Sequence, residues 1–142
     1  MHSPVYNSTP APTILVIEDN VDQWFLTRWA LLQRYAKTQV HWLSAADEVI
    51  PYLDACRQKE IDLPQLILVD LYLPSVQQGL TVLRLLKSHP LYQSIPAITL
   101  SWSNEMEDIT QVLTHSANGY LVKPTCYQDW LAGLGILDNY LN

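Results

Sequence analysis

The sequence predicts an α/β fold: a parallel sheet covered by helices on both faces. Three observations predict it. Five short apolar runs alternate strictly with longer amphipathic stretches. The strongest runs are apolar throughout, as strands buried on both faces must be. Four of the five also end in carboxylate, hydroxyl or amine side chains, beyond the carboxyl ends where open parallel sheets carry their working groups.

The first strand is Thr13–Ile17 (TILVI), ending in Glu18-Asp19-Asn20. A helix is expected from about Val21 to Arg34, with Phe25, Trp29 and Leu32 recurring at i, i+4, i+7 and facing the core. Gln39–Leu43 is the second strand. Ser44 caps the next helix, with Asp47 and Glu48 in its first turn, and that helix runs to about Lys59. Pro64 opens the third strand, Gln65–Val69, which terminates at Asp70. After the Leu73-Pro74 turn, Gly79 to Ser88 reads as a helix with Val82, Leu83 and Leu86 on one face. Ile95–Leu100 is the fourth strand, with Pro96 tolerated at its start. Glu105–His115 is helical with Ile109, Val112 and Leu113 inward, Gly119–Val122 is the fifth strand, and the last helix spans roughly Cys126 to Tyr140.

Composition removes several function classes. A chain of 142 residues, 49% hydrophobic and 15% charged, suits one domain with a full core. The net charge of -6, pI near 4.9 and only eight Lys and Arg argue against nucleic-acid binding, which needs clustered positive charge. Cys56 and Cys126 are far apart and outside any CxxC spacing, so buried or half-buried free thiols in a reducing cytosol are expected. His2, His41, His89 and His115 show no metal-ligand spacing, and the four glycines form neither GxGxxG nor a P-loop. Trp24, Trp29, Trp42, Trp102 and Trp130 are expected mostly in core or interface. Residues 1–12 read as a flexible leader without signal-peptide character, and no apolar stretch reaches a membrane span, so a soluble cytoplasmic protein is expected.

The strand ends bring Glu18, Asp19, Asp70, Ser101 and Lys123 toward one crevice. Two carboxylates about 4 Å apart repel by roughly 4 kcal/mol at an effective dielectric near 20. Three of them therefore need a cation, a captured proton or intervening solvent. An oxygen-rich site without His or Cys suits Mg²⁺, held by carboxylates and waters. Asp70 can then attack phosphorus as a nucleophile, with Ser101 and Lys123 holding the phosphoryl oxygens. Taken singly, each group has an ordinary structural reading: an acidic pair caps a helix, an Asp starts a loop, a Lys-Pro closes a strand. Their joint occurrence in this order points to a site.

In ILVIEDN (Ile14–Asn20), LILVDLYLP (Leu66–Pro74), ITLS (Ile98–Ser101) and GYLVKP (Gly119–Pro124), the sequence resembles the response-regulator receiver family from Thr13 to the final helix. The resemblance implies a flavodoxin-like (βα)5 fold with strand order 2-1-3-4-5, occupying residues 13–142. It implies that Asp70 accepts a phosphoryl group from a phosphohistidine on a sensor kinase. Mg²⁺ would be bound by Asp19, Asp70 and the Tyr72 backbone carbonyl, with Glu18 direct or through water. Ser101 would be the switch hydroxyl, Tyr120 the switch aromatic and Lys123 the phosphate-binding lysine, with a Lys123-Pro124 peptide that is often cis. Within the family the likeness is to stand-alone regulators partnered with bacterial phytochrome kinases. It implies a homodimer through the fourth helix, fifth strand and fifth helix, for which Tyr127, Trp130, Leu134 and Leu137 are candidates, core packing being the alternative for all four and the favoured one for Leu134.

Three positions depart from the family pattern. Trp102 follows Ser101 where the family has a small residue, Tyr72 stands two residues after Asp70, and four residues rather than three separate Pro74 from Gly79, with Gln78 in place of the usual Asp. They point to an altered phosphoryl lifetime. The leading expectation is a phosphorylation switch that is not itself an enzyme. Its output would pass through a downstream protein, a phosphotransfer protein or dimerisation, because the chain ends soon after the last helix. The alternatives are a degenerate receiver that binds partners without phosphorylation, and a small phosphatase or hydrolase.

Overall fold

A computed structural model of the chain describes residues 11–115 and 117–141. Most of the expected leader, with His2, lies outside the described residues. Pro12 already belongs to the fold, since its carbonyl accepts the Gln39 amide at 2.9 Å.

Five strands form one parallel sheet in the order β2-β1-β3-β4-β5: β1 (Thr13–Ile17), β2 (Gln39–Leu43), β3 (Leu66–Asp70), β4 (Ala97–Ser101) and β5 (Gly119–Val122). The helices are α1 (Val21–Arg34), α2 (Val49–Gln58), α3 (Val76–Ser88), α4 (Met106–Thr114), α5 (Tyr127–Gly133) and α6 (Asp138–Leu141). Because successive strand side chains point to opposite faces, β1 and β3 feed two cores. Leu15, Ile17, Ile67 and Val69 pack with Val49, Leu53, Leu83 and Val112 of α2, α3 and α4. Ile14, Val16, Leu66 and Leu68 pack with Trp24 and Leu31 of α1 and with Trp130 of α5. The expected fold class and strand order are both found, and β1 and β3 sit side by side at the point where the strand order reverses.

Several elements depart from expectation. In α1 the buried stripe is Trp24, Thr27, Ala30 and Leu31, while Phe25 is 61% exposed and Trp29 is also exposed. Both stripes satisfy helical periodicity. The phase is decided by Trp24, whose ring stacks on Trp42 of β2 with centroids 5.3 Å apart. Helix α3 begins three residues before Gly79, because Ser75 caps it by accepting the Gln78 amide. Ser44 reaches its helix indirectly: its amide and hydroxyl both donate to Glu48 Oε1, at 3.1 and 3.3 Å, across a 3-10 turn at Ala46–Glu48 that precedes α2. In α4 Val112 is fully buried, Ile109 partly, and Leu113 is exposed.

The expected last helix is three pieces, α5, a 3-10 turn at Leu134–Leu137 and α6, broken where Gly133 and Gly135 weaken helix propensity. Trp130, Leu134 and Leu137, candidates for a dimer surface, lie in the core against β1 and β3 residues, leaving Tyr127 exposed. Of the two thiols, Cys56 is buried and Cys126 exposed. Among the tryptophans, Trp24 and Trp130 are buried, whereas Trp29 and Trp102 are exposed. The cis X-Pro peptide among the described residues is Leu73-Pro74, not Lys123-Pro124.

Candidate functional site

The sheet delivers each strand-end group by a separate main-chain grip. Beyond β1, the Glu18 amide donates to the Leu43 carbonyl (3.0 Å), and the Glu18 carbonyl accepts the Trp42 indole N–H (2.7 Å). Both bonds come from β2 and turn the carboxylate inward, where only 2% of the residue is exposed. Asp19 stays exposed, and Asn20 caps α1 by accepting the Gln23 amide at 3.0 Å. At the end of β3, Asp70 Oδ1 accepts the Tyr72 amide (3.2 Å), and the Leu71 amide donates to the Leu100 carbonyl of β4 (2.9 Å). Ser101 is fully buried and its Oγ accepts the Ser103 amide at 3.1 Å. The Lys123 amide donates to the Ser101 carbonyl (2.7 Å), carrying the lysine from β5 toward the neighbouring strand end.

These placements bring the predicted residues together. Lys123 Nζ donates to Glu18 Oε1 at 2.8 Å and reaches Asp70 Oδ2 at 3.4 Å, all three groups being buried. Glu18, Asp19 and Asp70 each offer a carboxylate oxygen within 4.8 Å of the others. One ammonium does not offset three carboxylates. Burial, and then the hydrogen bond and charge of Asp70, push the Glu18 carboxyl up to about 7 despite the opposing pull of Lys123. Burial and the Glu18 charge also raise Asp19. An all-oxygen, over-negative donor set with its oxygens within 4.8 Å of one another is the kind that takes a hard divalent cation. Glu18, Asp19 and Asp70 therefore fit a Mg²⁺ or Mn²⁺ ion.

Above the carboxylates lies an open cleft of about 570 Å³, lined in part by Asp70, Tyr72, Trp102 and Asp108. Tyr72 crosses it, its hydroxyl donating to Asp108 Oδ2 of α4 at 3.3 Å. Tyr120 is half-buried and its hydroxyl donates to the Ser103 carbonyl at 2.8 Å, tying β5 to the segment that follows β4. The Trp102 ring sits over Lys123, with Nζ 5.7 Å from the ring centroid. Sequence reasoning did not single out Trp42 or Asp108. Trp42 sits one residue before the end of β2, and Asp108 is one of several acidic residues opening α4, so neither carries a signal of its own.

The family model of the response regulator receiver domain matches residues 14–132. The chain belongs to the response regulator receiver family. Among curated relatives it is 29% identical over 116 residues to a probable methanogenesis regulatory protein, FilR2 of Methanothrix harundinacea, covering 82% of this chain and 74% of that protein. It is 31% identical over 130 residues to the virulence transcriptional regulatory protein PhoP of Shigella flexneri. That match covers 87% of this chain and 51% of PhoP, so the chain spans about half the length of that relative.

Among solved structures, the phosphorylated cyanobacterial phytochrome response regulator RcpA superposes with a TM-score of 0.79 at 29% identity, covering 93% of this receiver and 95% of RcpA. The Mn²⁺-bound form of response regulator Rcp1 gives 0.76 at 26% identity, covering 92% and 95%. The R. palustris red-light response regulator RPA3017, with a TM-score of 0.81 over 92% and 94% of the chains, shares the fold at 23% identity.

Proposed function

We propose that this receiver is a phosphoacceptor switch of a two-component pathway, formed by residues 13–142, taking its phosphoryl group on Asp70 with Mg²⁺ bound. The observation that carries the reading is the Lys123 ammonium spanning Glu18 and Asp70 beside a third carboxylate within 4.8 Å. Asp70 Oδ attacks phosphorus of a phosphohistidine, the P–N bond breaks, and its electron pair leaves with the imidazole nitrogen. The acceptor becomes an acyl phosphate. Glu18, Asp19, Asp70 and the Tyr72 carbonyl would hold the ion, which when bound offsets charge on the phosphoryl oxygens. Lys123 supplies a second, fixed positive charge, and the Ser101 hydroxyl turns from the Ser103 amide onto a phosphoryl oxygen.

Tyr120 follows, because its hydroxyl is tied to Ser103 in the same segment. The donor is a sensor histidine kinase of phytochrome type, a reading supported by the likeness to RcpA and to the bacteriophytochrome response regulator RtBRR, 30% identical. The receiver acts by changing a partner-binding or self-association surface around α4, β5 and α5, not by turning over a substrate. No helix among the described residues is long and apolar enough to cross a membrane.

Acetyl phosphate or beryllofluoride with Mg²⁺ tests the reading. One modification per chain is expected, absent in Asp70→Asn, with a changed environment at Tyr120. If the wild-type chain stays unmodified by these reagents and by every kinase offered, a phosphorylation-independent binding module replaces this reading.

A further inference from the structure

Trp102 is anomalous where it stands. The largest apolar side chain type is 51% exposed at the mouth of a polar cleft, immediately after the fully buried Ser101. What its ring covers is a charge: the Lys123 ammonium lies 5.7 Å from the ring centroid, within the range at which an aromatic face attracts a cation. The lysine's other partners are Glu18 and Asp70, the carboxylates that also fit a divalent ion. An ion taking those oxygens would compete with the ammonium for them and repel it. Among the described residues, the indole face is the partner of the Lys123 ammonium that such an ion does not claim.

We propose that Trp102 is a positioning residue for Lys123, its aromatic face holding the ammonium over Asp70 when the carboxylates are engaged elsewhere. The proposal rests on the reading of Asp70 as phosphoacceptor and adds a role that bulk alone cannot fill. A side chain there merely to narrow the cleft could be any large apolar group. A side chain there to hold a cation must present a π face.

The two are separated by Trp102→Phe, which keeps a face, and Trp102→Leu, which keeps apolar bulk without one. Position 102 is half exposed, so neither change empties the core. The first readout needs no phosphorylation: in Mg²⁺, the Lys123 ε-methylene protons should resonate upfield by ring current in wild type and Trp102→Phe, and return to the ordinary lysine position in Trp102→Leu. The second is the rate of phosphoryl uptake from acetyl phosphate, expected to fall roughly 3- to 30-fold in Trp102→Leu and to be largely kept in Trp102→Phe, the span set by the strength of one cation–π contact. Equal uptake by both variants, or an unshifted Lys123 in Mg²⁺-loaded wild type, overturns the role of Trp102 while leaving Asp70 as acceptor. A wild-type chain that takes no phosphoryl group overturns the acceptor reading, and the positioning role with it.

Discussion

Gly79→Ala probes how tightly α3 is seated on the loop that carries the site. A Cβ built on Gly79 lies 2.0 Å from the Leu71 carbonyl oxygen, 2.7 Å from its carbon and 2.9 Å from its Cα. Reaching even a 3.0 Å contact needs about 1 Å of main-chain movement. Neither side yields easily. Leu71 is buried and its amide is bonded to Leu100, while the Gly79 amide reaches Ser75 in the capped first turn. Alanine gains about 1 kcal/mol of helix propensity over glycine. Against that stand roughly 1–3 kcal/mol of overpacking and about 1 kcal/mol for a disturbed hydrogen bond.

The net expectation is a loss of about 2 kcal/mol, or roughly 6–10 °C in Tm for a chain of this size. Because Leu71 lies between Asp70 and Tyr72, the movement also disturbs the Tyr72 amide bond to Asp70, and Mg²⁺ affinity should fall with stability. Urea unfolding followed by tryptophan fluorescence, with a Mg²⁺ titration, reads both. Gly133→Ala is the control: its Cβ meets Leu121 at 3.5 Å and Pro124 at 3.9 Å, ordinary contacts, so it should be neutral or stabilising by up to about 1 kcal/mol. A Gly79→Ala protein with wild-type midpoint and Mg²⁺ affinity would refute the reasoning.

Further predictions follow from other contacts. Lys123→Met leaves the buried Glu18 and Asp70 without their shared cation and should cost about 3 kcal/mol in metal-free buffer; Mg²⁺ should restore part of it, and unfolding midpoints that ignore Mg²⁺ would contradict the account. Trp24→Ala should cost about 3 kcal/mol and Phe25→Ala no more than about 0.5, which calorimetry of the pair will check against the phase of α1. Arg34 clamps Asp138 through two bonds, Nε at 3.2 Å and Nη2 at 2.8 Å, tying α1 to α6. The Arg34 hydrogen bond, and then that of Tyr35, lower the Asp138 carboxyl from its ordinary 3.8. A lowered folded-state value stabilises above 3.8 and stops doing so as pH falls through it. Asp138→Asn should therefore be less stable than wild type at pH 7, the gap narrowing as pH falls below 3.8 and through the lowered folded-state value; a gap unchanged from pH 7 down through that range contradicts the clamp.

The features visible in the sequence share one property: chain order and period determine them. Glu18, Asp70, Ser101 and Lys123 were legible because a parallel sheet places every strand end on one rim, so a residue's position along the chain already states its position in space. What was not legible depends on phase or on a partner distant in the chain. Phe25 and Trp24 differ by one position in the same helix, and only the stack on Trp42 decides between them. Trp130, Leu134 and Leu137 fit either a core or a dimer face until the break at Gly133 and Gly135 wraps them onto β1 and β3. The same distinction runs through the site. The groups proposed to react are strand-end residues, whereas the groups around the mouth of the site, Tyr72 with Asp108 and Trp102 with Lys123, are pairs that tertiary packing creates. The chemistry proposed for this receiver is therefore drawn from residues that chain order alone brings together. The proposed rate of that chemistry rests on packing that order does not specify: Trp102→Leu removes the aromatic contact with Lys123, and Gly79→Ala displaces the Leu71 main chain beside Asp70, neither removing a group proposed to react.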